Sequence, residues 1–242
     1  MKKYFSFFLL IILFTSCQVT ETISLNADGS GTINVVQLRD EHSYMLSAGE
    51  KYSKEEQFKD TAYVFQDYIT KYNETFFKYT QSEQQLFQKY ANVKVHVKKS
   101  SFDKEFKTII TFPFTKIDVV PNLYNTEDYA NDLENNYALT AEKHFFDVQY
   151  SFDGTVFKRT LNVINEAEIE KNKNQIKDFK SKTHSLDLTL TYSLKYNFPR
   201  RIKSVSNAAA ILSSDKKSLT LTLQLLDCLQ DPASTNLEVV LE

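Results

Sequence analysis

Tryptophan is absent from this sequence, and glycine and proline occur only four times each among 242 residues. A many-turned sandwich needs those two residues at its corners, so the composition favours long strands and helices joined by few tight turns. Cysteine occurs twice, at Cys17 and Cys228, which is too few for a disulfide framework. Acidic and basic residues nearly balance, with a formal charge of −2. Without residues 1–16, which carry Lys2 and Lys3 but no acid, the balance falls to −4. A general nucleic-acid binder needs a basic face to neutralise phosphates, so no nucleic acid is expected as a partner.

Motifs that carry chemistry are equally scarce. His42, His96, His144 and His184 are scattered, with no His-x-x-x-His or Cys-x-x-Cys spacing to suggest zinc. There is no P-loop, no dinucleotide fingerprint and no Gly-x-Ser-x-Gly. The stretch "NADGSG" fails as a calcium loop. In an EF-hand alignment Ser24 and Val35 stand where the first Asp and the bidentate Glu are required. Carboxylates in "DLENN" and "EAEIE" fit solvated helix faces. The expectation is a protein with no enzymatic activity, no cofactor and no metal.

The longest apolar run begins at Tyr4 and ends at Phe14, short of the roughly 20 residues a membrane-crossing helix needs. With Lys2 and Lys3 before it and the small residues Thr15 and Ser16 after it, residues 1–16 have the anatomy of a signal peptide. On anatomy alone, Cys17 could follow an ordinary signal peptide by chance, or the segment could be a buried helix. The sequence "LFTSC" also resembles the lipobox of bacterial lipoproteins, with Phe14 where that family has Leu, Val or Ile. That resemblance implies that Cys17 receives a diacylglycerol, becomes the new N-terminus and anchors the protein to a membrane. Two or more acyl chains make such an anchor stable. Gln18 stands where an Asp would retain an enterobacterial lipoprotein at the inner membrane, and no acidic cluster follows. By the same resemblance the expected location is the periplasmic face of the outer membrane.

From residue 17 onward the pattern is mixed. "SLNADGSGTINVV" predicts a hairpin whose turn is supplied by Asn26, Asp28 and two glycines. Phe58, Ala62, Phe65, Ile69 and Tyr72 recur at helical spacing, so residues 54–73 predict an amphipathic helix with Ser53 and Glu56 as its capping box. Ser82 and Gln85 predict the start of a second, shorter helix. Residues 41–91 therefore suggest a helical insertion in an otherwise β-rich single domain, 17–242. Val93, Val95 and Val97, then Phe106, Thr108, Ile110 and Phe112, predict a second hairpin. Asp153–Gly154 marks a third, between "FDVQYSF" and "TVFKRTLNV". Residues 165–182 predict a charged helix with a narrow stripe of Ile169, Ile176 and Phe179. "SLDLTLTYSLKYNF" alternates without a break, and "SLTLTLQL" repeats the pattern through Leu225. The expected fold is α+β: an antiparallel sheet built from hairpins, with amphipathic helices packed on it.

Four features are candidates for function. Phe58, Phe65 and Ile69 either cover the core or line an apolar pocket. Arg200, Arg201 and Lys203 follow the longest strand and either form a solvated turn or touch an anionic surface. "DTA" at residues 60–62 resembles a short O-glycosylation signal of Bacteroidota envelope proteins, with Thr61 as acceptor. On the expected helix Thr61 would lie beside a buried Ala62. Cys228 in "LQLLDCLQD" suits a small buried apolar residue rather than a nucleophile. The lipobox, "LNADGSGTINV" and the segment from Asn197 to Pro232 together resemble a broad group of bacterial lipoproteins, many from Bacteroidota, loosely similar to the LppM-type lipoprotein domain. Together with the absence of catalytic motifs, the expected function is that of a non-enzymatic envelope lipoprotein whose binding or scaffold domain takes an envelope protein or a ligand at the membrane surface. The alternative is a periplasmic carrier of a lipid or other apolar ligand. The resemblance supplies no active-site residues.

Overall fold

The computed structural model describes residues 17–136, 138–139, 144–183 and 190–242. The expected signal peptide, His184 and the first residues of the long alternating strand (Leu186 and Leu188) lie outside them. Strands β1 (Cys17–Leu25) and β2 (Gly31–Asp40) form the first hairpin. Its turn is closed by the Asp28 carboxylate, which accepts from the Ser30 main-chain N–H at 3.0 Å. Gly31 is required by close approach: a Cβ there would lie 2.2 Å from the Ser24 carbonyl oxygen. Helix α1 (Glu41–Ala48) follows, and the carboxylate of Glu41, wholly buried, accepts from Arg39 at 2.7 Å and from the Tyr52 hydroxyl at 2.8 Å.

The segment expected to be a long helix divides in two. Phe58–Val64 is strand β3, and the helix α2 is only Phe65–Lys71. The helical spacing of Phe58 and Ala62 is coincidental. Phe58, Thr61, Tyr63 and Val64 are good strand formers, and β3 pairs antiparallel with β4 (Lys94–Ser100) from Phe58↔Ser100 to Val64↔Lys94. Ser53 is not a cap for this helix; it lies in a 3-10 helix, Gly49–Lys54. The Asp67 carboxylate opens α2 instead, accepting from the Val64 N–H at 3.1 Å. Helix α3 (Asn73–Phe76) is one turn. Helix α4 (Gln81–Lys89) starts from a capping box of Thr80 and Glu83, two residues before the expected Ser82 and Gln85.

Strand β5 (Glu105–Phe114) joins β4 and β2. Helix α5 (Thr126–Asn135) precedes the third hairpin, β6 (Phe146–Phe152) and β7 (Val156–Val163). There Gly154 takes φ +96° and the Asp153 carboxylate accepts from Thr155 and Val156 N–H groups at 2.8 and 2.7 Å. Helix α6 (Glu166–Thr183) leads to β8 (Thr191–Asn197), β9 (Ile202–Val205), β10 (Ile211–Leu212) and β11 (Ser218–Gln224). The last expected strand residue, Leu225, instead begins helix α7 (Leu225–Gln230), its N–H donating to the Leu190 carbonyl at 3.0 Å. Strand β12 (Leu237–Leu241) completes the order.

The strands form two sheets, an eight-stranded β10-β11-β8-β1-β2-β5-β4-β3 and a four-stranded β6-β7-β12-β9. The fold is α+β and rich in antiparallel pairs. One pair departs from the expected hairpin-only sheet: β1 and β8 are parallel. Parallel neighbours need a long crossover, and here the chain between them builds half of each sheet. Inward rows run straight across the large sheet. Leu221, Leu194, Glu21, Val35, Ile110, Val95 and Tyr63 are consecutive partners on β11, β8, β1, β2, β5, β4 and β3. One member of that row is a carboxylate, and the functional site is built around it.

Candidate functional site: an apolar cavity above a buried ion pair

Glu21 lies on β1 between Val19 and Ile23, in a row that faces the core, and its exposure is 0%. Its cross-strand neighbours Leu194 and Val35 offer it no hydrogen bond. Partners come instead from the diagonal positions of β8 and from the opposite sheet. Tyr196 donates to Glu21 Oε1 at 2.5 Å, and Tyr192 to Oε2 at 3.1 Å. Arg159, which interrupts the apolar row of Phe157 and Leu161 on β7, reaches across with Nε 3.2 Å from Oε1 and Nη2 3.3 Å from Oε2. Tyr124 completes the set, donating to Oε2 at 2.8 Å and lying 2.5 Å from the Tyr192 hydroxyl. Tyr124 is held by buried Asn122, whose amide donates to the Phe146 carbonyl at 3.2 Å and whose main-chain oxygen accepts from Tyr90 at 2.9 Å.

Arg159 is itself saturated. Its Nη1 donates to the Thr235 carbonyl at 3.2 Å and to Thr235 Oγ1 at 2.7 Å, while Nη2 also donates to Tyr192 at 2.8 Å. All five N–H donors of the guanidinium therefore have acceptors. Burial pushes the Glu21 carboxyl upward, but the Arg159 charge and the donated hydroxyls outweigh it, and the net position is below the ordinary carboxylate value. Burial lowers Arg159 and Glu21 raises it, with a net rise well above the ordinary value. Burial also drives Tyr124, Tyr192 and Tyr196 upward, with the Glu21 charge adding to it. A fixed ion pair ringed by protonated phenols has no group ready to take or give a proton at neutral pH.

Above this floor lies a cavity of about 250 Å³. Tyr192, Val19 and Gln37 line it from adjacent strands of the large sheet, and Arg159 and Leu161 from β7. Phe145 and Phe146 close one side, and Leu225, Cys228 and Leu229 of α7 close another. Helix α6 is docked on α7 by Asn172, which donates to the Leu229 carbonyl at 3.2 Å, and by Lys180, 3.0 Å from Asp227. Burial pushes the Cys228 thiol up to about 11, with Ser234 and Arg159 acting in the opposite direction. The lining is almost wholly apolar.

Of the residues singled out in the sequence, Cys228 lines the cavity and the others lie elsewhere. Phe65 and Ile69 are buried in the core, where Phe65 packs on Phe87 and Tyr90 at ring-centroid distances of 6.4 and 5.6 Å. Phe58 stands 64% exposed on the edge strand, so the helix that would have aligned it with them does not exist. Thr61, expected beside a buried residue, is exposed on β3, next to Asp60, whose carboxylate is 2.7 Å from His96 Nε2. Arg200 is turned onto the main-chain oxygens of Glu242, at 2.6 Å, and of Gly154, and Arg201 lies 3.8 Å from the Glu242 carboxylate. Lys203 is exposed on β9. Nothing is described of the Cys17 side chain, which begins β1. Glu21 and Arg159 escaped sequence reasoning, although each left a local signal: a charge in an inward apolar row.

Fold and site together define an α+β domain of antiparallel-rich sheets with an apolar cavity, partly open to solvent, over a buried ion pair. Among the described residues no group of three or more His, Cys, Asp or Glu side chains could hold a metal ion, and no helix is long and apolar enough to cross a membrane. No protein-family model matches the chain, and no curated protein matches it. Among solved structures it is similar to the folded domain of the Mycobacterium tuberculosis LppM protein, determined by NMR. The TM-score is 0.41 with 8% identity, covering 95% of this chain and 91% of that one.

Proposed function

We propose that the chain is a non-enzymatic binding protein of the cell envelope, lipid-anchored through Cys17 at the periplasmic face of the outer membrane, and that its domain holds a small apolar molecule between the two sheets. The cavity carries this reading. An apolar cavity of about 150 Å³ admits benzene, and this one is about 250 Å³ with an almost wholly apolar lining. The lipobox resemblance at Cys17 supports the anchor, and the carrier activity needs no catalytic group. A second reading, a scaffold for another envelope protein, is favoured by β3, a seven-residue edge strand with one side unpaired in the sheet order.

The test is native mass spectrometry of protein expressed with its own leader in a bacterial envelope, beside Leu229→Trp, which fills the cavity. Extra mass on the wild type that denaturation removes and Leu229→Trp lacks supports the carrier. A bare wild-type mass contradicts it and leaves the scaffold. Cys17→Ser tests the anchor separately: the variant should leave the membrane fraction, and its retention there would refute lipidation.

A further inference from the structure

We infer that the molecule held in the cavity is uncharged and that the Gln37 side-chain amide reads its one polar group; this rests on the reading of the cavity as a binding site. Arg159 is the one charged residue in the lining. A carboxylate or phosphate entering the cavity would need that guanidinium, yet Glu21, Thr235 and Tyr192 take all its donors. Capturing it would strand Glu21, with 0% exposure, as an unpaired buried charge, which costs far more than one new contact returns.

The hydroxyl protons of the site are committed as well. Tyr124 and Tyr192 donate to Glu21, and Thr235 donates to the Pro232 carbonyl at 2.8 Å. A cation fares no better. No carboxylate lines the cavity, and the oxygens of Glu21 beneath it already accept from Arg159 and three tyrosines. An ion of either sign would sit in apolar surroundings without a counter-charge, a strongly unfavourable state.

Gln37 is different. It belongs to the inward row of β2, between Val35 and Arg39, lines the cavity partly exposed, and its side chain has no hydrogen-bond partner among the described residues. The amide of Asn172, also in the lining, instead donates to the Leu229 carbonyl at 3.2 Å. An amide offers two donors and an acceptor, which match a hydroxyl, ketone, ester or amide group. The chemical class is therefore a neutral, mostly apolar molecule with a single hydrogen-bonding group. Ionised fatty acids, phospholipids and amines are disfavoured wherever their charged group has to enter the cavity.

The experiment is calorimetric titration of the Cys17→Ser chain with octan-1-ol and with octanoate. Octan-1-ol should bind at pH 8, and octanoate about a thousandfold more weakly. Octanoate affinity should rise about a hundredfold between pH 8 and pH 6, following the fraction of protonated acid. Gln37→Leu should weaken octan-1-ol by about three- to tenfold. Octanoate binding as tight as octan-1-ol at pH 8, or independent of pH, overturns the uncharged-ligand inference and leaves the cavity reading intact. A folded Gln37→Leu that binds octan-1-ol undiminished overturns the role of Gln37. If neither probe binds in any condition, the cavity reading falls and this inference with it. The wild-type comparison of the two probes does not depend on how any variant folds.

Discussion

Glu21 and Arg159 are separated by 138 residues in the chain and by 3.2 Å in space, each nearly or wholly buried and each on a different sheet. The pair pins β7 against the middle of the large sheet. Breaking such a pair from one side leaves a buried charge and costs about 3–5 kcal/mol. Glu21→Gln and Arg159→Met should each destabilise the domain by about that much, whereas the double variant should cost clearly less than the two added together. Urea unfolding of the four proteins measures the coupling. Additive losses would mean that the two groups do not interact.

Acid should expose the same pair. The folded Glu21 carboxyl is held below its ordinary value of 4.5. A depressed folded value means that the stability is present above the unfolded pKa and is lost as pH falls through the folded one. Between pH 7 and pH 5 the gap in melting temperature between the wild type and the Glu21→Gln, Arg159→Met double variant should stay constant. Below about 4.5 the wild type should lose stability faster. Melts recorded in steps down to pH 3 check this, since the remaining carboxylates are common to both proteins.

The two phenylalanines expected to act together should behave oppositely. Phe65 is 0% exposed and Phe58 is 64% exposed. Phe65→Ala should cost about 3–5 kcal/mol, and Phe58→Ala should stay within about 0.5 kcal/mol. Equal losses in chemical denaturation would return Phe58 to the core and contradict strand β3.

Much of this fold is legible locally. Alternation over Val93–Val97 and Leu190–Phe198 fixes which residues face inward, because a strand has period two, and Asp153–Gly154 marks its own turn. Residues 58–64 mislead because Phe58 and Ala62 keep helical spacing with Phe65 and Ile69 by chance, while the true partner of this strand, β4, lies about thirty to forty residues on. The division into two sheets and the parallel β1–β8 pair depend on contacts between distant segments, which no local pattern encodes. The site follows the same rule. A glutamate in the row of Val19 and Ile23, and an arginine in the row of Phe157 and Leu161, are visible as interruptions, but only the fold brings them together. Cys228 suited a small buried residue in the sequence, and it is buried in the structure; that it faces a cavity depends on α7, where a strand was expected.

The reaction of Cys228 with an uncharged maleimide tests most directly whether the cavity is a binding site. In the Cys17→Ser chain it is the single thiol. A thiol raised to about 11 is thiolate in about one part per thousand at pH 8, so labelling should be slow in the native protein and fast in urea. Saturating octan-1-ol should slow the native reaction further, in proportion to the cavity it fills. A native rate that octan-1-ol leaves unchanged, with the alcohol shown by calorimetry to be bound, would place the ligand elsewhere and contradict the cavity as the site.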